Sequence, residues 1–293
     1  MNALRTLSVA LLVVAAAVGT LSDRPVRRPP ISIAGYRVLA ADFHTHSSMW
    51  SDGALTPWGL VLEAERQGLD AIAITGHDAT LDGKIGRWFS RLIGGPIVIA
   101  GEEILGDPYH YHLVALGIGD VISFDQRAAD AIDAVHRQGG VAIAAHPIPQ
   151  SWPAYDADAM QRLDAAEICH PLVYTLERGQ TNLEQFAARG SVAAIGSSDF
   201  HGTGRLGMCR TLVFVREVSE AGILDAIRAR RTVVFGRNGR AYGNPDLIRA
   251  AANDRELTDS ALTERVSALD WISRVASVFG LAGVAVLMVR ARG

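Results

Sequence analysis

The sequence predicts an α/β fold, a distorted (β/α)7 barrel with hydrophobic segments at its N- and C-terminal ends. Short, strongly apolar runs alternate with helical stretches between Arg37 and Gly236, the order that builds a sheet covered by helices. About seven such strands over roughly 210 residues favour a closed barrel over an open sheet. Clusters of His, Asp and Glu stand where those runs stop, and a barrel gathers its strand ends at one mouth.

RVLAADFH (37–44) reads as the first strand. Thr56-Pro57 opens a helix through Glu65, with Thr56 as N-cap and Pro57 in the first turn, and Gly68 ends it. LDAIAIT (69–75) is the second strand, apolar throughout as a parallel sheet requires. PIVIAGEEI (96–104) and YHYHLVALGIG (109–119) are the third and fourth. DQRAADAIDAVHRQGG (125–140) is a helix stopped by Gly139-Gly140. VAIAAHP (141–147) is a strand ended by Pro147, and AAEICHP (165–171), SVAAIGSSDFH (191–201) and RTLVFV (210–215) continue the series. AGILDAIRARR (221–231) is the last helix and TVVFG (232–236) follows it. The alternation predicts a mostly parallel sheet.

Composition narrows the function. With 293 residues and 49% hydrophobic side chains, the chain carries a sizeable core. A net charge of -3 provides no basic field for a long duplex nucleic acid, though a small nucleotide stays open. The 2 Cys, Cys169 and Cys209, sit in or beside apolar runs and read as buried, inert thiols.

The ends point to a membrane. Residues 1–21, with Arg5 before the apolar run Leu7 to Leu21, read as a signal peptide or an N-terminal anchor. Residues 22–37 are Pro- and Arg-rich and read as a linker to the catalytic barrel at 38–249. Residues 250–268 read as a helical connector to a transmembrane helix at 269–290, with Trp271 at the interface; the alternative is a helix that closes the domain. Arg290 and Arg292 favour a cytoplasmic C-terminus, while Arg24, Arg27 and Arg28 pull the other way if the first run is an anchor. With a cleaved signal the catalytic domain lies outside the cytoplasm, and that reading is preferred.

The chemistry lies in the strand ends. His44 and His46 are i, i+2 residues of a strand, so both imidazoles face one side and can clamp a divalent ion. Asp42 precedes them and Ser51-Asp52-Gly53 follows. His77 and Asp78 follow the second strand directly. In Gly101-Glu102-Glu103 adjacent residues face opposite sides, so only one carboxylate enters a cluster, where its two oxygens can bridge two ions. His110 and His112 form a second i, i+2 pair, His146 ends an apolar strand, and Asp199 and His201 share a face. Singly, each has a plain alternative: a surface histidine, a helix cap, a solvated carboxylate. Jointly they do not, because burying so many imidazoles and carboxylates at one mouth is costly unless cations compensate them. The His/Asp/Glu mix suits Zn, Mn or Fe.

In order along the chain, DFHTHSSMWSDG, LDAIAITGHD, AGEEI, HLVALGI, AIAAHP, AEICHP and GSSDFHG resemble the motifs of the PHP (polymerase and histidinol phosphatase) superfamily over roughly residues 38–240. The resemblance implies a distorted seven-stranded barrel and two or three divalent metal ions. It implies that His44, His46, Glu103 and Asp199 hold the first ion, that Glu103, His112 and His146 hold the second, and that Asp52, His77 and His201 hold the third. Glu103 is preferred to Glu102 by the family's spacing from the preceding Gly. One departure is Gly76, where family members often have Asp; a contact to the third site is missing there.

The function implied is phosphoester hydrolysis by a metal-held hydroxide, as a phosphatase or an exonuclease-like phosphodiesterase acting on nucleotides or short oligonucleotides. Asp199 and His201 are the candidates for proton handling, and Arg205 for a bidentate phosphate contact, its alternative being a surface arginine. An amidohydrolase-type C–N hydrolase is disfavoured because Lys84 is the only lysine and follows no strand. A membrane-tethered metal-binding module without turnover is the non-enzymatic alternative. No protein partner is inferable from the sequence.

Overall fold

β2 (Tyr36–Asp42), β3 (Ala71–His77) and β4 (Ile97–Gly106) run parallel to one another. β5 (Tyr111–Leu116) is antiparallel to β4, and β6 (Val141–Ala144), antiparallel to β5, begins a second parallel set with β7 (Ala165–Cys169) and β8 (Ala193–Gly196). Beyond the other edge of β2 lie β9 (Thr211–Val215), β10 (Thr232–Phe235) and β11 (Ala241–Gly243), each antiparallel to its neighbour. β1 (Ile31–Ile33) pairs with β2 inside the segment expected to be a linker. The computed structural model describes residues 2–22, 29–106, 110–171, 178–236, 239–254, 257 and 268–290. It divides into two units, Val26–Leu262 and Met1–Pro25 with Thr263–Gly293.

In the larger unit the sheet curls into a nearly closed barrel. The seam between β8 and β9 is stitched by Thr211, whose Oγ1 accepts from Gly196 N at 2.8 Å and donates to Gly196 O at 2.9 Å. The interior is apolar below the mouth: Leu39, Ala41, Ala73, Ile99, Val114 and Ile143 meet there. α7 (Glu220–Arg228) packs Ile223 and Ile227 against the same cluster and closes that end. Outside, α2 (Pro57–Arg66) and α3 (Leu81–Ile93) cover β2 to β4. α4 (Ala128–Arg137), α5 (Ala157–Arg162) and α6 (Gly179–Ala187) cover β5 to β8. α2 begins as its sequence predicts, with Thr56 Oγ1 accepting from Gly59 N.

Two expectations are corrected. The sheet is mixed rather than mostly parallel. Only four residues separate β4 from β5, too few for the crossover that a parallel neighbour needs. His112 therefore stands at the start of β5, not at a carboxyl end, and the reversed direction brings it to the same mouth. The cysteines are not free: Cys169, ending β7, and Cys209, preceding β9, form a disulfide with their Cα atoms 5.5 Å apart. α8 (Pro245–Ala251) occupies the start of the expected connector, and most of residues 250–268 lie outside the described residues.

α3 carries two glycines that serve packing rather than flexibility. A Cβ on Gly83 would stand 2.8 Å from Ala100 Cα, and one on Gly86 would stand 2.4 Å from Ile74 Cδ1. The helix thus lies directly on β3 and β4.

The smaller unit is a pair of antiparallel helices, α1 (Asn2–Ser22) and α9 (Ala268–Arg290). Each is long and apolar enough to cross a membrane. Small residues line their seam: Ser8, Ala15, Ala276, Gly280 and Gly283 are buried, and a Cβ on Gly280 would stand 2.8 Å from the Leu12 side chain. Ser273 Oγ donates to Ala15 O at 2.8 Å. Large apolar side chains such as Val13, Val278 and Phe279 point outward. The pair is compatible with membrane association.

Candidate metal centre

The mouth of the barrel gathers the side chains that the sequence singled out. β2 runs into His44 and His46, β3 ends at His77, β4 carries Glu103 and β5 opens with His112. His146 follows β6, and Asp199 and His201 follow β8. His146 and Asp199 sit at φ 27° and 47°, a backbone region that L-residues rarely occupy. Such strain is retained where the fold must aim a side chain.

Three overlapping sets have ligand atoms within 4.8 Å of one another: His44, His46, Glu103 and Asp199; Glu103, His112 and His146; and His46, Asp52, His77 and His201. These match the three groups implied by the resemblance, with His46 added to the third. Glu103 joins the first two. Its Oε2 lies 3.3 Å from His44 Nε2 and 3.5 Å from His46 Nε2, while its Oε1 lies 2.8 Å from His112 Nδ1 and 3.2 Å from His146 Nε2. Glu102 faces away, accepting from Ile122 N at 2.7 Å. His110 belongs to none of the sets.

The electrostatics describe a site built around positive charge. Burial would raise the Glu103 carboxyl, yet the His44 charge and hydrogen bonds from His112 and His146 hold it well below the usual carboxylate range. Burial opposes a charge on His44, yet Asp199, Glu103 and Glu167 hold its pKa well above the ordinary value. Asp199 is likewise pushed far down by His44, His170 and His46 against its own burial. Protons and cations compete for such atoms.

A direct test of fit comes from buried polar atoms. Among the described residues, His44 Nε2, His46 Nε2, His77 Nδ1 and Asp199 Oδ1 are buried and make no hydrogen bond of acceptable geometry, although they converge on common points. Divalent cations satisfy such atoms together. His44 Nδ1 is 2.9 Å from Glu167 Oε1; because the carboxylate can only accept, Nδ1 carries the hydrogen and Nε2 is left as a ligand atom. His201 Nδ1 is 2.8 Å from Asp199 O, and the same reasoning leaves its Nε2 free, 3.1 Å from Asp52 Oδ1.

Several participants were given no role by the sequence reading. Glu167 is fully buried and serves two groups: Oε1 holds His44, and Oε2 accepts from His146 N at 2.7 Å. His170 is buried with Nε2 3.3 Å from Asp199 Oδ2, and it forms a set with His44 and His146. Asp42 accepts from Ser198 N and from Gly207 N, fixing the segment that carries Asp199. One signal for Glu167 was present: a single carboxylate inside an otherwise apolar strand must have partners.

The gap at Gly76 is filled from elsewhere. The buried Asp82 carboxylate of α3 lies over it, its Oδ2 2.7 Å from where a Cβ on Gly76 would stand. Asp82 Oδ2 also lies 3.1 Å from Ser47 Oγ. Ser47 starts the loop that presents Ser51 to His46 and Asp52 to His77 and His201. Arg205 Nε donates to Gln67 Oε1 at 2.7 Å, next to the end of α2.

Residues 182–232 match the family model described as PHP-associated. Comparison with curated protein sequences gives no match. Among solved structures, the chain is similar to a two-domain protein from Bacteroides vulgatus containing a predicted PHP-like metal-dependent phosphoesterase, at 24% identity over 78% of this chain and 74% of that one, with a TM-score of 0.60. It is similar to an amidohydrolase from Chromobacterium violaceum at 18% identity over 66% of this chain and 97% of that one, with a TM-score of 0.49. It is also similar to the lesion-specific endonuclease PfuEndoQ from Pyrococcus furiosus at 13% identity over 68% of this chain and 58% of that one, with a TM-score of 0.41. The first of these supports the fold.

Proposed function

We propose that the chain is a metal-dependent hydrolase of phosphoester bonds acting on nucleotides or short oligonucleotides; its match to the PHP-associated model and its fold likeness to a protein containing a predicted PHP-like phosphoesterase support this reading. The observation that carries the proposal is the division of Glu103 between two sets of imidazoles. Divalent ions held there supply Lewis-acid activation of water and neutralise charge on the phosphoryl group. The His/Asp/Glu donor set suits Zn, Mn or Fe.

The roles of the chain's own groups follow from their partners. His44, His46, Glu103 and Asp199 would hold a first ion, Glu103, His112 and His146 a second, and Asp52, His77 and His201 a third. Glu167 fixes the tautomer of His44 and the backbone of His146 together. Proton handling falls to Asp199 Oδ2 with His170 Nε2 beside it, 3.3 Å apart. Asp52, 61% exposed, marks the side from which substrate enters.

We further assign the chain to a membrane through α9, with the barrel on the extracytoplasmic side. The Cys169–Cys209 disulfide supports that side, because such bonds persist in oxidising compartments.

Full-length protein in detergent, stripped of metal and reloaded with Mn²⁺, tests the proposal on an aryl phosphate monoester and an aryl phosphodiester. Turnover that returns with metal and is lost in His44→Ala and Asp199→Ala is the expected result. Full metal loading without turnover of either ester would instead favour a binding module.

A further inference from the structure

α3 is apolar on two faces. Its inner face, with Gly83, Gly86 and Ser90, packs on the sheet. Its outer face repeats Leu81, Ile85, Trp88 and Leu92 at helical spacing. Trp88 is 65% and Leu92 68% exposed. On α2, packed beside it, Trp58 and Leu62 are one turn apart and also exposed. The outer helices of a barrel normally present polar residues to water, and a continuous apolar stripe of this kind marks a docking surface.

The charge on the stripe selects the partner. α3 carries Lys84, Arg87 and Arg91; Arg87 is half-buried and paired with Glu220, and the only acidic residue of the helix, Asp82, is buried under the sheet-facing side. Lys84 and Arg91 are exposed. Tryptophan and leucine bordered by basic side chains is the composition of a helix that lies in a bilayer interface beside anionic headgroups.

We propose that the outer faces of α2 and α3 form a docking surface for the headgroup region of an anionic bilayer. The inference rests on the membrane assignment made above and adds a lipid-contacting surface to it.

The test uses the full chain in nanodiscs of mixed zwitterionic and anionic lipid. Single spin labels are placed at Trp88→Cys, at Leu62→Cys, at Val278→Cys on the outer side of α9, and at Asp246→Cys as an aqueous reference. The native cysteines are paired with each other and do not compete for label. Collision rates with oxygen and with a nickel chelate then report lipid against water. The expected result is an oxygen-to-nickel ratio at Trp88 and Leu62 several-fold above that at Asp246, falling when anionic lipid is omitted or when Lys84→Gln and Arg91→Gln are introduced. Values at Trp88 and Leu62 equal to that at Asp246, with Val278 in lipid, overturn the docking surface and leave the membrane assignment standing. Water-like values at Val278 overturn the assignment and the docking surface together. Exclusion of both reagents at Trp88 overturns the proposal in favour of a second copy of the chain on that face.

Discussion

Glu167 Oε1 lies 2.9 Å from His44 Nδ1, deep under the mouth of the barrel, while its other oxygen receives the backbone N–H of His146. Both partners donate, so only a group with two acceptor oxygens satisfies them. Glu167→Gln keeps the shape but turns one end into a donor that faces another donor. We expect Glu167→Gln and Glu167→Ala to weaken metal binding about 10- to 100-fold, as loss of a ligand's outer partner generally does. Competition with a chelator, read as ions retained per chain, checks this. Unchanged retention in both variants would separate Glu167 from the centre.

Gly76 and Asp82 form a steric pair. A methyl group at residue 76 would press on a buried carboxylate, and overpacking of this kind costs about 1–3 kcal/mol. Gly76→Ala is expected to destabilise the protein, and to do so much less in an Asp82→Ala background. Asp82→Ala alone should lower affinity for one ion and leave the others in place, because the loop from Ser47 to Asp52 loses its brace. Thermal unfolding across the double-mutant cycle, with metal titration, measures both effects. Additive destabilisation would show that the two residues do not meet.

The Cys169–Cys209 bond closes a loop with a sequence separation of 40. In the chain-entropy account a loop of that size contributes about 4 kcal/mol. Reduction, or Cys169→Ala with Cys209→Ala, is expected to lower the melting temperature by on the order of 10 °C. Calorimetry with and without reductant decides it. Identical transitions in both conditions would mean that the thiols are unpaired in solution.

Glu102 supplies a pH signature. Burial raises its carboxyl to about 7, with the hydrogen bond from Ile122 N opposing and the Asp78 charge adding to the rise. A carboxyl raised on folding contributes full stability below its unfolded pKa near 4.5. That contribution is lost as pH climbs through about 7, where the cost of ionising it reaches roughly 3 kcal/mol. The stability of the natural protein relative to Glu102→Gln should therefore fall between pH 4.5 and pH 8. Denaturant unfolding at several pH values measures the difference. A difference independent of pH would place an ordinary carboxylate at this position.

Much of the site was legible because ligands cluster where strands stop. The apolar runs before His44, His77, His146 and Asp199 end in polar groups that cannot be buried alone, and the PHP resemblance drawn from those motifs agrees with the fold and with the PHP-associated segment. Strand direction was not legible. The pairing of β5 between β4 and β6 depends on residues far apart in sequence, so His112 was assigned to the wrong end of its strand although to the right mouth. α3 was hidden by Gly83 and Gly86, which resemble helix breakers until the close approach of Ala100 and Ile74 explains them. The spacing of Cys169 and Cys209 gave no sign that β7 and the segment before β9 meet.

The central claim is that one carboxylate is shared by two cations at the mouth of the barrel. Anomalous diffraction from crystals grown with Mn²⁺ tests it most directly. We predict separate peaks on the two sides of Glu103, one oxygen toward each, the first beside His44 and His46 and the second beside His112 and His146. A fully occupied crystal in which Glu103 binds no ion, or in which the imidazoles around it ligate none, would contradict the account.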